Sequence, residues 1–449
     1  MKKSGSNLKR WDMVSEWRKT RLTDICIPGG VQTGPFGSQL HQKDYVEKGT
    51  PIITVEHLGD NRISHQNLPR ITEQDKERLK KYTLKMGDIV FSRVGSVDRR
   101  ALVRESEDGW LFSGRCLRVR LDRNKADPAY VSYQFGTESF KELMRSIAVG
   151  ATMPSINTKI LSDIEIILPS LPEQKNTAAI LIALDDKIEL NRRMNDTLEG
   201  IAQAVFKSWF VDFDPVKAKA EGRKPEGLVD ATAALFPSNF TESNVGLIPE
   251  GWFLGKLGDI ADNPRTGVQP TEISPDVPYI GLEHMPRRSI SLYEWEGAGK
   301  VTSTKSAMQT GDFLFGKLRP YFHKVGISPI NGITSTDILI VRPKSDCFYS
   351  YLLMLISSVP FVEYTDKTSQ GTKMPRTSWG DMSRYESIFP NKQVFIAYDV
   401  LVRPMFYRII ANIHENKALV DIRDNLLPKL ISGKLRAGEI SESLEALTS

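Results

Sequence analysis

Residues 51–57 read PIITVEH and residues 278–284 read PYIGLEH, with proline, isoleucine, glutamate and histidine identical in the two. Working outward from this pair, further matches fall in the same order along the chain. Leu22-x-Asp24-Ile25 returns as Leu257-x-Asp259-Ile260, and Gly87-Asp88-Ile-Val-Phe91 returns as Gly311-Asp312-Phe-Leu-Phe315. Gly150-Ala-Thr-Met153-Pro154 pairs with Gly371-Thr-Lys-Met374-Pro375, and Leu168-Pro169 with Phe389-Pro390. Most of these spacings are about 221 to 227 residues in a chain of 449, so the protein is read as two similar halves.

Each half opens with short β-branched runs bounded by glycine and proline. PIITVEHL, GDIVFSRV and CLRVRL in the first and DILIVRP in the second read as strands of a compact α+β module. Each half then closes on a long segment with apolar residues at helical spacing. Leu181, Leu184, Ile188, Asn191, Asn195, Leu198, Ala202, Val205 and Trp209 alternate steps of three and four, which is a coiled-coil seam. Phe406, Ile409, Ile413, Asn416, Val420, Arg423, Leu427 and Leu430 follow the same register at an offset of 225. Two matching seams predict that the helices pack on each other, with Pro428 kinking the second locally and Gly433 offering its stop.

The predicted fold is therefore α+β: two similar domains alternating with two long helices that form an antiparallel coiled coil, in a pseudo-twofold internal repeat. The boundaries are an N-terminal extension at 1–17, a first domain at 18–170 and a central helix at 171–213. A linker at 214–245, a second domain at 246–390, a C-terminal helix at 391–435 and a tail at 436–449 complete the chain. The linker shows no strong period and is given at most one short helix, at ATAALF. Helices of roughly 40 residues would span about 60 Å, a rigid spacer.

Composition fits a folded, water-soluble protein: 40% hydrophobic and 26% charged residues. The net charge of +5 permits a polyanionic partner without demanding one. By count the excess lies in residues 18–168, at roughly +5, while 252–390 is close to neutral. Cys26, Cys116 and Cys347 form no C-x-x-C, so neither a zinc site nor a disulfide framework is expected and a cytoplasmic location is inferred. The basic N-terminus lacks the apolar run of a signal peptide, and no stretch is apolar enough for a transmembrane helix.

Several stretches resemble the specificity subunits of type I restriction-modification systems. They are GPFGSQL at 34–40, LPEQ at 171–174, LEGIAQAVFKSWFVDFDPVKAK at 198–219, GLIPEGW at 246–252 and LLPKLISGKL at 426–435. The resemblance spans nearly the whole chain. It implies a non-catalytic subunit in which each of two target-recognition domains reads one half of a split DNA sequence. It also implies partners: double-stranded DNA, modification (methyltransferase) subunits, two of them, that bind S-adenosylmethionine, and restriction (translocase/nuclease) subunits that use ATP and magnesium. No cofactor is expected in this chain.

The motifs of an enzyme are not in the sequence. GDFLFGK at 311–317 has P-loop glycine spacing, but Leu318 stands where Ser or Thr would hold magnesium. D/N-P-P-Y/F and H-E-x-x-H are absent from the sequence. Glu56-His57 and Glu283-His284 could suggest an acid-base pair, but neighbours on a strand face opposite sides, so a repeated structural role is favoured. No catalytic residue and no metal ligand are assigned.

Reading DNA needs Arg or Lys for phosphates and guanine, and Asn or Gln for adenine. The first half offers Gln32, Ser38, Gln39, Arg93, Arg99, Arg100 and Arg115; the second offers Arg265, Gln269, Lys317, Arg319, Tyr321, Lys324, Lys373 and Arg376. Phe206, Trp209, Phe210 and Phe213 are denser in aromatics than a seam requires and are candidates for a subunit interface. Asn191 and Asn416 occupy equivalent seam positions and are candidates for setting the register of the helix pair. Two rivals remain: a coiled-coil scaffold with two protein-binding modules, and a free-standing DNA-modifying enzyme.

Overall fold

The computed structural model describes residues 17–35, 39–150, 152–371 and 373–440. Residues 1–16 of the expected extension at 1–17 and 441–449 of the expected tail at 436–449 lie outside them. Two compact units result: one from the chain up to Asp186 together with the chain from Val420, the other from Lys187 to Leu419. Among the described residues no single helix is long and apolar enough to cross a membrane.

In the first unit, Cys26–Thr33, Cys116–Leu121, Ile89–Ser92, Arg100–Leu102 and Asp60–Asn61 form a five-stranded sheet in that order. A smaller sheet joins Arg70–Ile71, Thr50–Ile53 and Leu111–Phe112. Arg18–Arg21 pairs antiparallel with Glu165–Leu168, so the start and end of the module are tied together. The second unit repeats the plan. Ile338–Pro343, Phe313–Gly316 and Val325–Ile327 are adjacent strands, and Phe253–Lys256 pairs with Glu386–Phe389. The central runs IVFS and FLFG are buried at every residue, which explains why they read as continuous apolar stretches instead of alternating ones.

The two long helices run Leu171–Phe210 and Lys392–Ile431, 40 residues each, and the second continues through Pro428. Both units hold a stretch of each helix, and in both the pairing is antiparallel. In the first unit Leu181 clusters with Leu430 and Tyr133, and Arg423 binds Asp185. In the second, Asn191 meets Asn416, Asn195 meets Asn412, and the Tyr398 hydroxyl donates to the Ala202 carbonyl. The chain leaves the second helix at Gly433, whose φ of +69° suits glycine. Gln174 of the LPEQ run locks the helix start: its amide donates to the Pro169 carbonyl at 2.9 Å and accepts from the Asp127 N–H at 2.9 Å.

The segment expected to be a linker is packed instead. Asp214–Ala220 and Asp230–Ala233 are short helices, and Phe240–Ser243 forms a hairpin with Gly246–Pro249. Val216 and Phe236 are buried in the core of the second unit. Their apolar side chains are too few and too irregularly spaced to show a period, but each finds the aromatic end of the first helix. The assigned tail also begins inside the fold, since Ala437 is buried.

Candidate nucleic-acid interface

In each unit the strand after the shared Gly-Asp turn delivers its last residues to a loop built on the repeated G-x-x-M-P sequence. In the second unit the Arg319 N–H donates to the Pro375 carbonyl at 2.7 Å and the Thr377 N–H to the Lys317 carbonyl at 3.1 Å. These bonds gather Lys317, Arg319, Lys373 and Arg376 on one loop cluster. Arg319 takes a left-handed backbone, its Nη2 donates to the Lys373 carbonyl at 3.5 Å, and Arg376 pairs with Asp337 at 3.2 Å. Tyr321 stands beside them, half exposed, with its ring 4.8 Å from that of Phe322.

The first unit repeats this arrangement. The Gly95 N–H donates to the Pro154 carbonyl at 2.8 Å and the Ile156 N–H to the Arg93 carbonyl at 3.0 Å. The Arg93 N–H in turn donates to the Arg115 carbonyl at 2.8 Å, which brings the two arginines together. Arg99 and Arg115, both exposed, line a cleft of about 860 Å³ with Thr54, Glu56, Tyr45 and Pro35. Two cations beside a carboxylate and a hydroxyl give this cleft donors and acceptors suited to polar base edges or phosphate.

Other candidates are placed differently. Gln32 lies on the strand Cys26–Thr33, opposite Arg118. Gln39 accepts from the Tyr82 hydroxyl at 2.7 Å, so its amide oxygen is already used. Ser38 lies outside the described residues. Arg265 and Gln269 flank the short strand Gly267–Val268, where Arg265 donates to Asn263 and Gln269 accepts from Thr304, each at 3.1 Å.

Two candidates are corrected. Arg100 is buried: its Nε donates to the Ser132 carbonyl at 2.8 Å and its guanidinium faces Asp60 at 3.6 Å, so it holds the fold together and does not meet a duplex. Burial lowers its pKa. Lys324 spends its ammonium on the Leu282 carbonyl, and burial followed by the nearby Arg287 charge lowers its pKa. Sequence shows charge type at these positions but not that a carbonyl waits within reach.

The aromatic candidates are also corrected. Phe206, Trp209 and Phe210 are buried among Tyr351, Phe395, Tyr398 and Trp252, and Phe213 packs edge-on to Trp252 at 5.7 Å. They form the core of the second unit and offer little surface to another subunit.

Glu56-His57 and Glu283-His284 sit not on strands but on the one-turn 3-10 helices Val55–His57 and Leu282–His284. The strand argument therefore does not apply, yet the role is structural: His57 Nδ1 accepts from the Thr54 N–H at 3.1 Å, and His284 Nδ1 from the Gly281 N–H at 2.9 Å. Ligand atoms of Glu283, His284 and Glu296 lie within 4.8 Å of one another, both carboxylates being exposed.

Residues 14–200 match the family model for the type I restriction modification DNA specificity domain. The first part of the chain thus carries a type I restriction modification DNA specificity domain, and similarity to named specificity subunits runs over most of its length. Two specificity subunits resemble it over nearly their full length. The chain is 25% identical to the HindI specificity subunit of Haemophilus influenzae over 94% of its own length and 100% of that protein. It is 27% identical to the MjaIX specificity subunit of Methanocaldococcus jannaschii over 95% of each. Its fold matches that of the type I S subunit from M. genitalium with a TM-score of 0.58 at 14% identity, covering 92% of this chain and 96% of that one. Both of these relatives are named specificity subunits, which weighs against the free-standing modifying enzyme.

Met153 and Met374, absent from the sequence-based candidates, are exposed on the two loops. Their signal was available in the G-x-x-M-P repeat, which marks the same loop in both halves.

Proposed function

We propose that the chain reads a bipartite DNA target, with 18–170 and 246–390 each acting as one recognition domain on one half-site. The observation that carries this is the paired loop architecture: in both units a G-x-x-M-P loop is hydrogen-bonded to a strand end that bears cations. Lys317, Arg319, Lys373 and Arg376 in the second domain, and Arg93, Arg99 and Arg115 in the first, contact phosphates and base edges. The two clusters differ in residue type, which suits two different half-sites. Two modification subunits bind S-adenosylmethionine and methylate the site, and restriction subunits using ATP and magnesium join the same cytoplasmic complex. This chain needs no cofactor of its own.

A gel shift across a salt series tests the reading. Binding to a target duplex should weaken log-linearly with salt, and neutralising Lys317 and Lys373 should each lower the slope by about 0.9 if each meets one phosphate. A scaffold that binds only proteins gives no shift at any salt concentration.

A further inference from the structure

A single exposed methionine on a protein surface is ordinary and needs no explanation. Here the same methionine stands at the same place in both units. Met153 is 66% exposed and Met374 is 46% exposed. Each follows a glycine whose backbone only glycine adopts readily, Gly150 at φ +108° and Gly371 at φ +97°. Each loop is closed by a bridge, Val149 to Ser155 and Gln370 to Arg376. Each methionine thus stands exposed between the glycine and the closing bridge.

The neighbours on these loops are not the same: position 155 is Ser where the second loop has Arg376, and position 152 is Thr where the second has Lys373. Only the glycine, the methionine and the proline are common to both. A side chain shared by two modules that read different half-sites cannot encode the difference between them. It suits a task that both half-sites need alike.

The chemistry of the surroundings indicates the occupant. Cations border Met374, with Lys373 and Arg376 on its own loop and Lys317 and Arg319 joined to it through backbone bonds, while near Met153 the strand end joined to the loop bears Arg93. A polyanion with an apolar interior satisfies both features, and duplex DNA is such a partner: phosphates for the cations and stacked bases for the thioether. We propose that Met153 and Met374 are apolar wedges that press into a base step of each half-site and partly unstack it. Side chains of this size and polarity open base steps in other proteins at a cost of a few kcal/mol per step, repaid by wider contact. The inference rests on the DNA reading proposed above and adds to it a deformation common to both half-sites.

The test uses the full chain assembled with its modification subunits and a duplex carrying the methylated target, with 2-aminopurine placed in turn at each step of each half-site. Wild type should raise fluorescence at one step per half-site. M374A should abolish the rise in the second domain's half-site only and weaken binding about tenfold, the worth of one buried methionine. M374L should keep the rise, and the salt slope should not change in either variant. M153A should do the same to the other half-site. Because both side chains are exposed, unchanged thermal unfolding verifies that the variants are folded. Salt-dependent binding with fluorescence rises that survive Met→Ala, or with no rise at any step, overturns the wedge alone. Failure of wild type to bind any duplex overturns the DNA reading with it.

Discussion

Asn191 donates a 3.0 Å hydrogen bond to Asn416, its own equivalent in the internal repeat. Both amides are buried, and neither is left with a bare polar group. Asn191 Nδ2 also donates to Glu415 at 2.9 Å, Lys187 donates to Asn191 Oδ1 at 3.2 Å, and Asn416 Nδ2 donates to the Ile188 carbonyl at 3.2 Å. One turn along, Asn412 donates to Asn195 at 2.7 Å, giving a second amide layer. Buried amides cost free energy unless matched, so a one-turn slip of the helices would strand both layers.

Asn191→Leu should cost about 1–3 kcal/mol, because the Asn416 oxygen loses its donor in a buried place. Replacing both by leucine should cost less than the sum of the singles, the mark of a coupled pair. Urea unfolding of the four proteins measures this. If the register also fixes the target, methylome sequencing of the double variant should show an altered gap between half-sites. Additive costs with an unaltered gap would remove Asn191 and Asn416 from that role.

Arg423 in the first unit binds Asp185 and Asp60, each at 2.9 Å, while the Tyr133 hydroxyl donates to Asp185 at 2.6 Å. Asp185 is 3% exposed, so removing its arginine leaves a buried charge. Arg423→Ala should therefore destabilise the chain by roughly 3–5 kcal/mol. Arg423→Ala with Asp185→Asn should recover part of that loss, which denaturant midpoints would reveal. An Arg423→Ala variant as stable as wild type would show that the pair contributes nothing.

The helix seam was legible because its apolar residues recur at steps of three and four, and so were the central strands IVFS, CLRVRL and ILIVRP. The polar positions of the seam were less so. Asp185 and Glu199 are buried next to the expected seam positions Leu184 and Leu198, and their partners come from 238 and 91 residues away, Arg423 and Ile290, where no local spacing could announce them. For the same reason Arg100 and Lys324 read as surface cations, although each is held by a backbone carbonyl, of Ser132 and of Leu282. The aromatic run Phe206–Phe210 looked like surplus for a docking face. It is matched by Phe236, Tyr351 and Tyr398, scattered through the rest of the unit.

Glu199 should make stability depend on pH. It is buried on the first long helix, accepting from the Ile290 N–H at 3.1 Å and from the Ser289 hydroxyl at 3.3 Å. Burial pushes its pKa up to about 7, with nearby Asp196 adding to the rise against the pull of those two donors. A folded pKa above the unfolded value of 4.5 means the stabilisation is full below pH 4.5 and is lost as pH rises through about 7. Relative to Glu199→Gln, wild type should lose roughly 3 kcal/mol between pH 4.5 and pH 8, as read from urea midpoints. Parallel pH profiles for the two proteins would show that Glu199 is not the titrating group.

Methylome sequencing of a host carrying the complex, before and after residues 18–168 are exchanged for the corresponding module of a relative, tests the modular reading most directly. The wild-type chain should direct methylation to two short sequences separated by a fixed run of unread base pairs. The exchange should rewrite one of those two sequences and leave the other, together with the gap, unchanged. Rewriting of both sequences at once, or of neither while methylation persists, would contradict a subunit whose two halves each read their own part of the target.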